Sequence, residues 1–148
     1  HHGLPTPLLD WTTNPLVALY FSISEPEKDN FDGVVYRIVP KSWYLDSDDI
    51  ESISCLISFY PRHLNTRVVA QRGCFTAFPY PPNLNPISSL SDPESYVSKE
   101  IYPREKIIIP RECKSKLRKQ LSKLGINHQT LFPSIDGVAK QLVSEFNK

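Results

Sequence analysis

An Asn14-Pro15 step followed by an apolar run is the feature that most constrains what this chain can fold into. Thr13 or Asn14 can cap a helix whose first residue is Pro15, because a proline there lacks an N–H that would otherwise be unpaired. Residues 16–23 are apolar on nearly every side, which predicts a helix buried deep in the domain. The fold must therefore supply an interior that encloses this helix.

Length, charge and cysteine usage narrow the class of protein. A chain of 148 residues with 40% hydrophobic residues can bury one ordinary core, so we predict a single domain over residues 1–148. The net charge of +1 creates no field that demands nucleic acid or a membrane, and no apolar run is long enough to span a bilayer. Three scattered cysteines do not form a disulfide framework, which predicts a cytoplasmic protein.

Further segments predict a small sheet. The β-branched residues 33–39 predict a central strand that ends at Pro40, and residues 106–109 predict a strand closed by Pro110. Residues 65–72 can form a short helix that Gly73 ends in a left-handed conformation, and residues 75–78 resume as a strand. With the helices, these segments predict an α+β fold, a small split mixed or antiparallel sheet flanked by helices.

Two helices are predicted in the last third of the chain. The first covers residues 111–124 and ends at Gly125. Its apolar stripe consists of Cys113, Leu117, Leu121 and Leu124. The second carries the cleanest helical period in the chain, formed by Ile135, Val138, Ala139, Leu142, Val143 and Phe146. We expect the second stripe to dock on the core and bury Phe146.

Residues 41–60 and 79–93 give weaker signals. Five prolines in 79–93 exclude regular structure and predict a poorly ordered or lid-like excursion. An acidic patch is formed by Asp46, Asp48, Asp49 and Glu51. It lacks the glycine and terminal glutamate of a calcium loop, so a solvated turn is the favoured interpretation and no metal site is predicted.

The first candidate site lies before the Pro15 helix, where polar side chains crowd against an apolar element. Its members are His1, His2, Asp10, Thr12, Thr13 and Asn14. Desolvation of such groups has to be offset, which favours a pocket. The alternative, favoured by these residues taken alone, gives Asp10 and Asn14 turn and capping roles and makes Thr12 and Thr13 ordinary strand residues. Trp11 can stack on a ligand ring or belong to the core, while Tyr20 and Phe21 are assigned to the core.

The second candidate site places Arg67 and Gln71 on one helix face at i and i+4. A guanidinium recognises phosphate or carboxylate, and a carboxamide can recognise a ribose or a ring edge; the alternative is a pair on a helix surface. Cys74 is interpreted as a small buried cysteine. The helix over 111–123 carries six basic residues against Glu112; a solvated face is favoured over a nucleic-acid contact.

Several blocks resemble the FRG domain, a mostly bacterial module. They are the histidine pair with residues 3–6, Leu8-Leu9-Asp10-Trp11-Thr12, Ala18-Leu19-Tyr20-Phe21, Gln71-Arg72-Gly73-Cys74-Phe75-Thr76, and Thr130-Leu131-Phe132-Pro133 followed by Asp136-Gly137. Their order and the absence of methionine suggest the C-terminal two-thirds of such a domain, whose arginine-glycine element would lie upstream as a partner segment. The resemblance implies an ADP-ribosyltransferase-like fold that clasps NAD, in bacterial or phage toxin and defence proteins.

Two functions follow from this resemblance. The enzyme reading is ADP-ribose transfer or NAD hydrolysis, with Asp10, Gln71 and His1 as catalytic residues, and a nucleotide held by His2, Gly3, Trp11, Thr12, Thr13 and Arg67. The binding reading is a non-catalytic module that recognises a nucleotide, a protein or a nucleic-acid target through the same pocket. Glutamine at position 71 departs from the glutamate of the transferase motif. Asp10 discriminates between the two hypotheses, because catalysis needs its carboxylate free in the pocket whereas a structural role would engage it in backbone hydrogen bonds. We predict that Asp10 and Gln71 share one cavity.

Overall fold

The computed structural model describes residues 8–40, 43–44, 57–61, 65–77 and 101–133. For residues 101–104 it describes the backbone alone. The chain forms two compact units. Unit 1 comprises His1–Trp11, Arg37–His63 and Cys74–Glu105, and unit 2 comprises Thr12–Tyr36, Leu64–Gly73 and Lys106–Lys148. The single domain expected from the sequence stays a prediction.

Strands and short helices alternate along the described chain. In order, the elements are β1 (Leu8–Thr12), α1 (Pro15–Ile23), a 3-10 turn (Pro26–Lys28), β2 (Gly33–Pro40), β3 (Trp43–Tyr44), β4 (Ile57–Phe59), α2 (Thr66–Ala70), β5 (Gly73–Ala77), β6 (Ile101–Ile109), a 3-10 turn (Arg111–Cys113), α3 (Lys114–Lys123) and α4 (His128–Leu131). This content confirms the predicted α+β class. Within the described ranges, each helix is too short or too polar to cross a membrane.

The described strands form one sheet of four strands and one of two. The larger sheet has the order β1-β5-β4-β3 and is mixed, since β3 and β4 are parallel whereas β4 and β5 are antiparallel. One of its faces is apolar and contains Ile57, Phe59 and Ala77, with Leu8 and Phe75 packed against them. Strand β2 was expected at the centre of a sheet, but among the described strands it pairs with β6 alone.

The first helix begins as its sequence predicts. The Asn14 side chain accepts a hydrogen bond from the backbone N–H of Leu16, and Pro15 occupies the first turn. Val17 and Ile23 are each 1% exposed, whereas Leu16 and Phe21 are 38% and 43% exposed. The expectations that the helix is buried on nearly every side, and that Phe21 belongs to the core, were therefore wrong. An apolar run shows that a helix can be buried on any side. Which of its faces packs against another element is decided by the rest of the fold.

The basic helix α3 also differs from expectation, because two of its cations have structural roles. Lys114 is 3% exposed and donates from Nζ to the carbonyl oxygen of Lys28 at 3.0 Å. Arg118 donates from Nη1 to the carbonyl of Ile23 and to Asp29, both at 2.8 Å, and its Nη2 also pairs with Asp29. The Ile23 carbonyl is one of the groups that a helix end leaves without an intrahelical partner, so Arg118 completes the end of α1.

The apolar stripe of α3 is narrower than predicted. Leu121 is 3% exposed, but Leu124 is 65% exposed and Cys113 is exposed. Gly125 follows the helix with a left-handed φ of 78°, which confirms it as the stop. The proline-rich excursion over 79–93, the acidic patch over 46–51 and the stripe from Ile135 to Phe146 lie outside the described residues.

The Asp29–Arg118 pair makes stability depend on pH. The hydrogen bond from Arg118 is the main reason why the pKa of Asp29 lies below its usual value. A carboxyl whose pKa is depressed by folding stabilises the native state above its unfolded pKa, and this stabilisation is lost as the pH falls through the folded pKa. As the pH is lowered below about 4, we expect the urea concentration at the unfolding midpoint to decrease. The decrease should be less steep in Asp29→Asn than in wild type. Parallel pH profiles for the two proteins would contradict this role.

Candidate functional site

The residues predicted for the site fall into three groups. His1, His2 and Gly3 lie outside the described residues. Asp10 and Trp11 belong to unit 1, whereas Thr12, Thr13, Arg67 and Gln71 belong to unit 2. A cavity shared by Asp10 and Gln71 therefore stays a prediction, and each unit is described by itself.

In unit 2, the two threonines attach the start of α1 to the turn that follows α2. Thr12 Oγ1 donates to the carbonyl oxygen of Gln71 at 2.7 Å and accepts from the Asn14 N–H at 3.0 Å. The backbone N–H of Thr13 donates to the carbonyl of Arg72 at 3.1 Å. The single donor of the Thr12 hydroxyl is thus engaged in a hydrogen bond inside the protein, and one of its two acceptor lone pairs is also used.

Helix α2 holds Gln71 at its C-terminal end. Asn65 caps the helix by accepting from the Val68 N–H at 2.8 Å, and the Gln71 N–H bonds back to the Arg67 carbonyl at 3.0 Å. The Gln71 side chain donates from Nε2 to the carbonyl oxygen of Leu131 at 3.0 Å. Gln71 therefore joins the end of α2 to α4.

The left-handed residue after α2 is Arg72 and not Gly73. Arg72 has a φ of 51°, whereas Gly73 is the first residue of β5. A Cβ at Gly73 would lie 3.3 Å from Val68 Cγ1 and 3.5 Å from the Val68 carbonyl oxygen. The glycine allows the strand to pass close to α2, so the expectation that it ends the helix was wrong.

Arg67 lies over the central ring of a group of three, and we call Arg67 with Phe132, His128 and Phe21 the Arg67 cluster. The Arg67 Cζ lies 5.0 Å from the centroid of the Phe132 ring, a cation–π geometry. His128 stacks on Phe132 with ring centroids 4.4 Å apart, and Phe21 contacts the same ring edge-on at 6.0 Å. Phe132 is held at the end of α4, which Asn127 caps by accepting from the Thr130 N–H at 3.0 Å.

The Arg67 guanidinium keeps unused hydrogen-bonding capacity. Its Nε is buried and has no hydrogen-bond partner, and within the described ranges no carboxylate pairs with Arg67. A buried N–H without an acceptor costs about 1–3 kcal/mol. A half-buried cation with a ring beneath it and no carboxylate partner among the described residues is a suitable binding group for an external anion.

The contacts in unit 2 join four of the five sequence blocks that resemble the FRG domain. Thr12 of the second block bonds to Gln71 of the fourth, and Gln71 bonds to Leu131 of the fifth. Phe21 and Phe132 add a ring contact between the third and fifth blocks. Leu131 and Phe132 were not predicted as site residues, although their membership in the fifth block was an available signal.

In unit 1, Asp10 is exposed on β1, and no hydrogen bond or ion pair joins its carboxylate to another described residue. Trp11 is half-buried and donates from Nε1 to Thr76 Oγ1 at 3.0 Å. Asp10 is thus available to a ligand, while the polar atom of Trp11 is engaged. Among the described residues, no three His, Cys, Asp or Glu side chains are grouped as a metal site requires.

Cys74 is 4% exposed, which confirms it as a small buried cysteine, and burial raises the pKa of its thiol to about 11. Since the thiolate is the reactive form, iodoacetamide at pH 8 should leave Cys74 unmodified in the folded protein and alkylate the exposed Cys113. Peptide mass spectrometry measures both sites, and urea-unfolded protein, in which both should react, is the control. Equal labelling of the two thiols in folded protein would show that Cys74 is accessible.

Comparison with known proteins supports the resemblance in one segment. The family model of the FRG domain matches residues 1–31, which contain β1 and α1. The match covers the first three of the five blocks, and the fourth and fifth lie beyond it. No curated protein and no solved structure matched the chain.

Proposed function

We propose that this chain is an FRG module that binds a nucleotide, NAD in particular, through the Arg67 cluster of unit 2. The observation that carries the proposal is the guanidinium on the Phe132 ring, whose buried Nε has no partner. The phosphates of a dinucleotide offer the anionic oxygens that such a guanidinium binds in bidentate fashion. The resemblance to FRG proteins adds the setting, a cytoplasmic bacterial or phage toxin or defence protein.

Binding without catalysis agrees best with the chemistry of the cluster. A carboxamide has no titratable proton, and the Gln71 amide already donates to Leu131. The Thr12 hydroxyl donates its only proton to the Gln71 carbonyl. Thr12 and Gln71 thus hold together the elements next to the Arg67 cluster, and the Arg67 guanidinium is the group that contacts the ligand.

Asp10 favours a second candidate function, ADP-ribose transfer or NAD hydrolysis. A catalytic carboxylate has to be available, and Asp10 is exposed and unengaged by the described residues. Release of nicotinamide from NAD measures this activity. Wild-type turnover that is lost in Asp10→Asn would establish the enzyme, and no turnover in a protein that binds NAD would establish the binding module.

Isothermal titration of the chain with NAD, ADP-ribose and nicotinamide tests the proposed site. NAD and ADP-ribose should bind and nicotinamide should not, because nicotinamide lacks the phosphates that Arg67 contacts. Arg67→Gln should weaken binding about tenfold or more, since it removes a charged, bidentate donor. Arg37→Gln is the matched control, because Arg37 forms an exposed ion pair with Glu105 at 3.0 Å in unit 1.

The proposal is overturned if wild type binds neither NAD nor ADP-ribose, or if Arg67→Gln binds both as wild type does. An equal loss in Arg37→Gln would indicate a general charge effect and would also overturn it. Urea unfolding of each variant shows whether the fold is retained, and Arg67→Lys provides a second variant that keeps the charge but not the bidentate geometry.

A further inference from the structure

The two faces of the unit 1 sheet differ in character. Ser58 is paired in register with Trp43 on β3 and with Thr76 on β5, so these three side chains lie on one face. Trp11 of β1 joins the same row through its bond to Thr76. Along each strand these residues alternate with those of the apolar face, which are Ile57, Phe59, Phe75 and Ala77. The row has an indole at each end, from Trp11 and Trp43, and the hydroxyls of Thr76 and Ser58 between them.

An aromatic pair stands exposed at the β3 end of this row. Trp43 and Tyr60 stack with ring centroids 4.7 Å apart and planes inclined by 15°, although they are 42% and 43% exposed. Large rings of this kind usually gain free energy by burial, and stacked indole and phenol rings present a flat surface to a third ring. We call Trp43 and Tyr60 the aromatic platform.

A buried hydroxyl next to the platform is unsatisfied. Ser58 is 2% exposed, and its Oγ has no hydrogen-bond partner among the described residues. Its register partner Thr76 differs, because the Thr76 hydroxyl accepts from Trp11. The face therefore combines a flat π surface with a hydroxyl that can both donate and accept.

We propose that the aromatic platform binds a nucleobase ring, with Ser58 as the residue that contacts the polar edge of the ring. A nucleobase matches both features, since it has a π face for stacking and an edge of hydrogen-bond donors and acceptors. Ser58 is buried, so its contact with the edge of the ring requires a local shift of the side chains over it, while Trp43 and Tyr60 keep their stack. Bases are carried both by free nucleosides and by single-stranded nucleic acid, and the two sources can be distinguished by titration.

Quenching of tryptophan fluorescence tests this proposal independently of the Arg67 cluster. Adenosine and uridine carry no phosphate, so they should quench wild type and Arg67→Gln to the same extent. A ten-nucleotide single-stranded RNA in a parallel titration identifies the source of the base: tighter binding than the nucleosides, falling steeply with salt, would point to nucleic acid. Quenching by nucleosides with no gain from the oligonucleotide would point to a free ligand.

Three variants define the site. Tyr60→Ser should weaken nucleoside binding about fivefold or more, the range expected for loss of a stacking ring. Tyr44→Ser is the control, because Tyr44 is exposed on β3 but follows Trp43 and so lies on the opposite face. Ser58→Ala should weaken binding without lowering the urea unfolding midpoint, because the hydroxyl has no partner to lose in the free protein.

No quenching by either nucleoside or by the oligonucleotide would overturn the proposal. Quenching by a neutral oligosaccharide such as maltohexaose but by no base would also overturn it and would assign the platform to a sugar. Equal losses of affinity in Tyr60→Ser and Tyr44→Ser would show that the platform face is not the binding face. If Tyr60→Ser fails to fold, Tyr60→Leu keeps the apolar volume and removes the π surface.

Discussion

Leu131→Ala should lower the free energy of unfolding by about 2–5 kcal/mol, the range for truncation of a buried leucine. Leu131 is 1% exposed and is among the largest fully buried side chains described. Its backbone also accepts the Gln71 side chain, so a collapse of α4 toward the cavity would disturb the Arg67 cluster as well. Urea unfolding, followed by circular dichroism, measures the change.

Leu124→Ala is the matched control for this truncation. Leu124 is 65% exposed just after α3, so the same change should alter stability by less than about 0.5 kcal/mol. Similar losses in the two variants, or no loss in Leu131→Ala, would contradict the placement of α4 in the core of unit 2.

Gly33→Ala should destabilise the protein by about 1–3 kcal/mol, because the first residue of β2 has no room for a methyl group. A Cβ there would lie 2.7 Å from the backbone oxygen of Ser22 and 3.3 Å from Ile109 Cβ. A backbone oxygen at the end of α1 cannot move without shifting the helix. The cost comes from crowding, since the φ of Gly33 is not in the left-handed region.

Gly73→Ala provides a graded comparison with Gly33→Ala in the same unfolding experiment. The nearest atom to its added Cβ is Val68 Cγ1 at 3.3 Å, a side-chain methyl that can shift by a few tenths of an ångström. We therefore expect a smaller loss than in Gly33→Ala. The reverse order would indicate that α1 does not approach β2 as closely as described.

Signals that depend on neighbouring residues were predicted well from the sequence. The Asn14 cap, Pro15 at the helix start and the left-handed Gly125 each depend on groups within a few residues, and each is present. Gly73 was misassigned because its glycine serves a packing contact with Val68, while Arg72 adopts the left-handed conformation. The sequence shows the position of a glycine but not whether a positive φ or a close packing contact requires it there.

Contacts between distant parts of the chain were not predictable in the same way. Arg118 was taken for part of a solvated face because its partner, Asp29, is 89 residues away in sequence. Gln71 and Leu131, 60 residues apart, were each noticed within a family block, but nothing in a single sequence specifies that they bond. Trp43, Tyr60 and Ser58 were not singled out, since their common face depends on strand register.

The most direct test of the central claim follows the Arg67 Nε–H by two-dimensional ¹⁵N–¹H NMR during titration with NAD. This proton is buried and has no acceptor in the described structure, so a phosphate bound by the guanidinium should shift its resonance in a saturable manner. Assignment comes from loss of the signal in Arg67→Lys, and the Arg37 Nε–H is the internal reference. The account predicts that the Arg67 signal moves with NAD and the Arg37 signal stays in place. An Arg67 signal that remains unchanged at saturating NAD would contradict the proposed site.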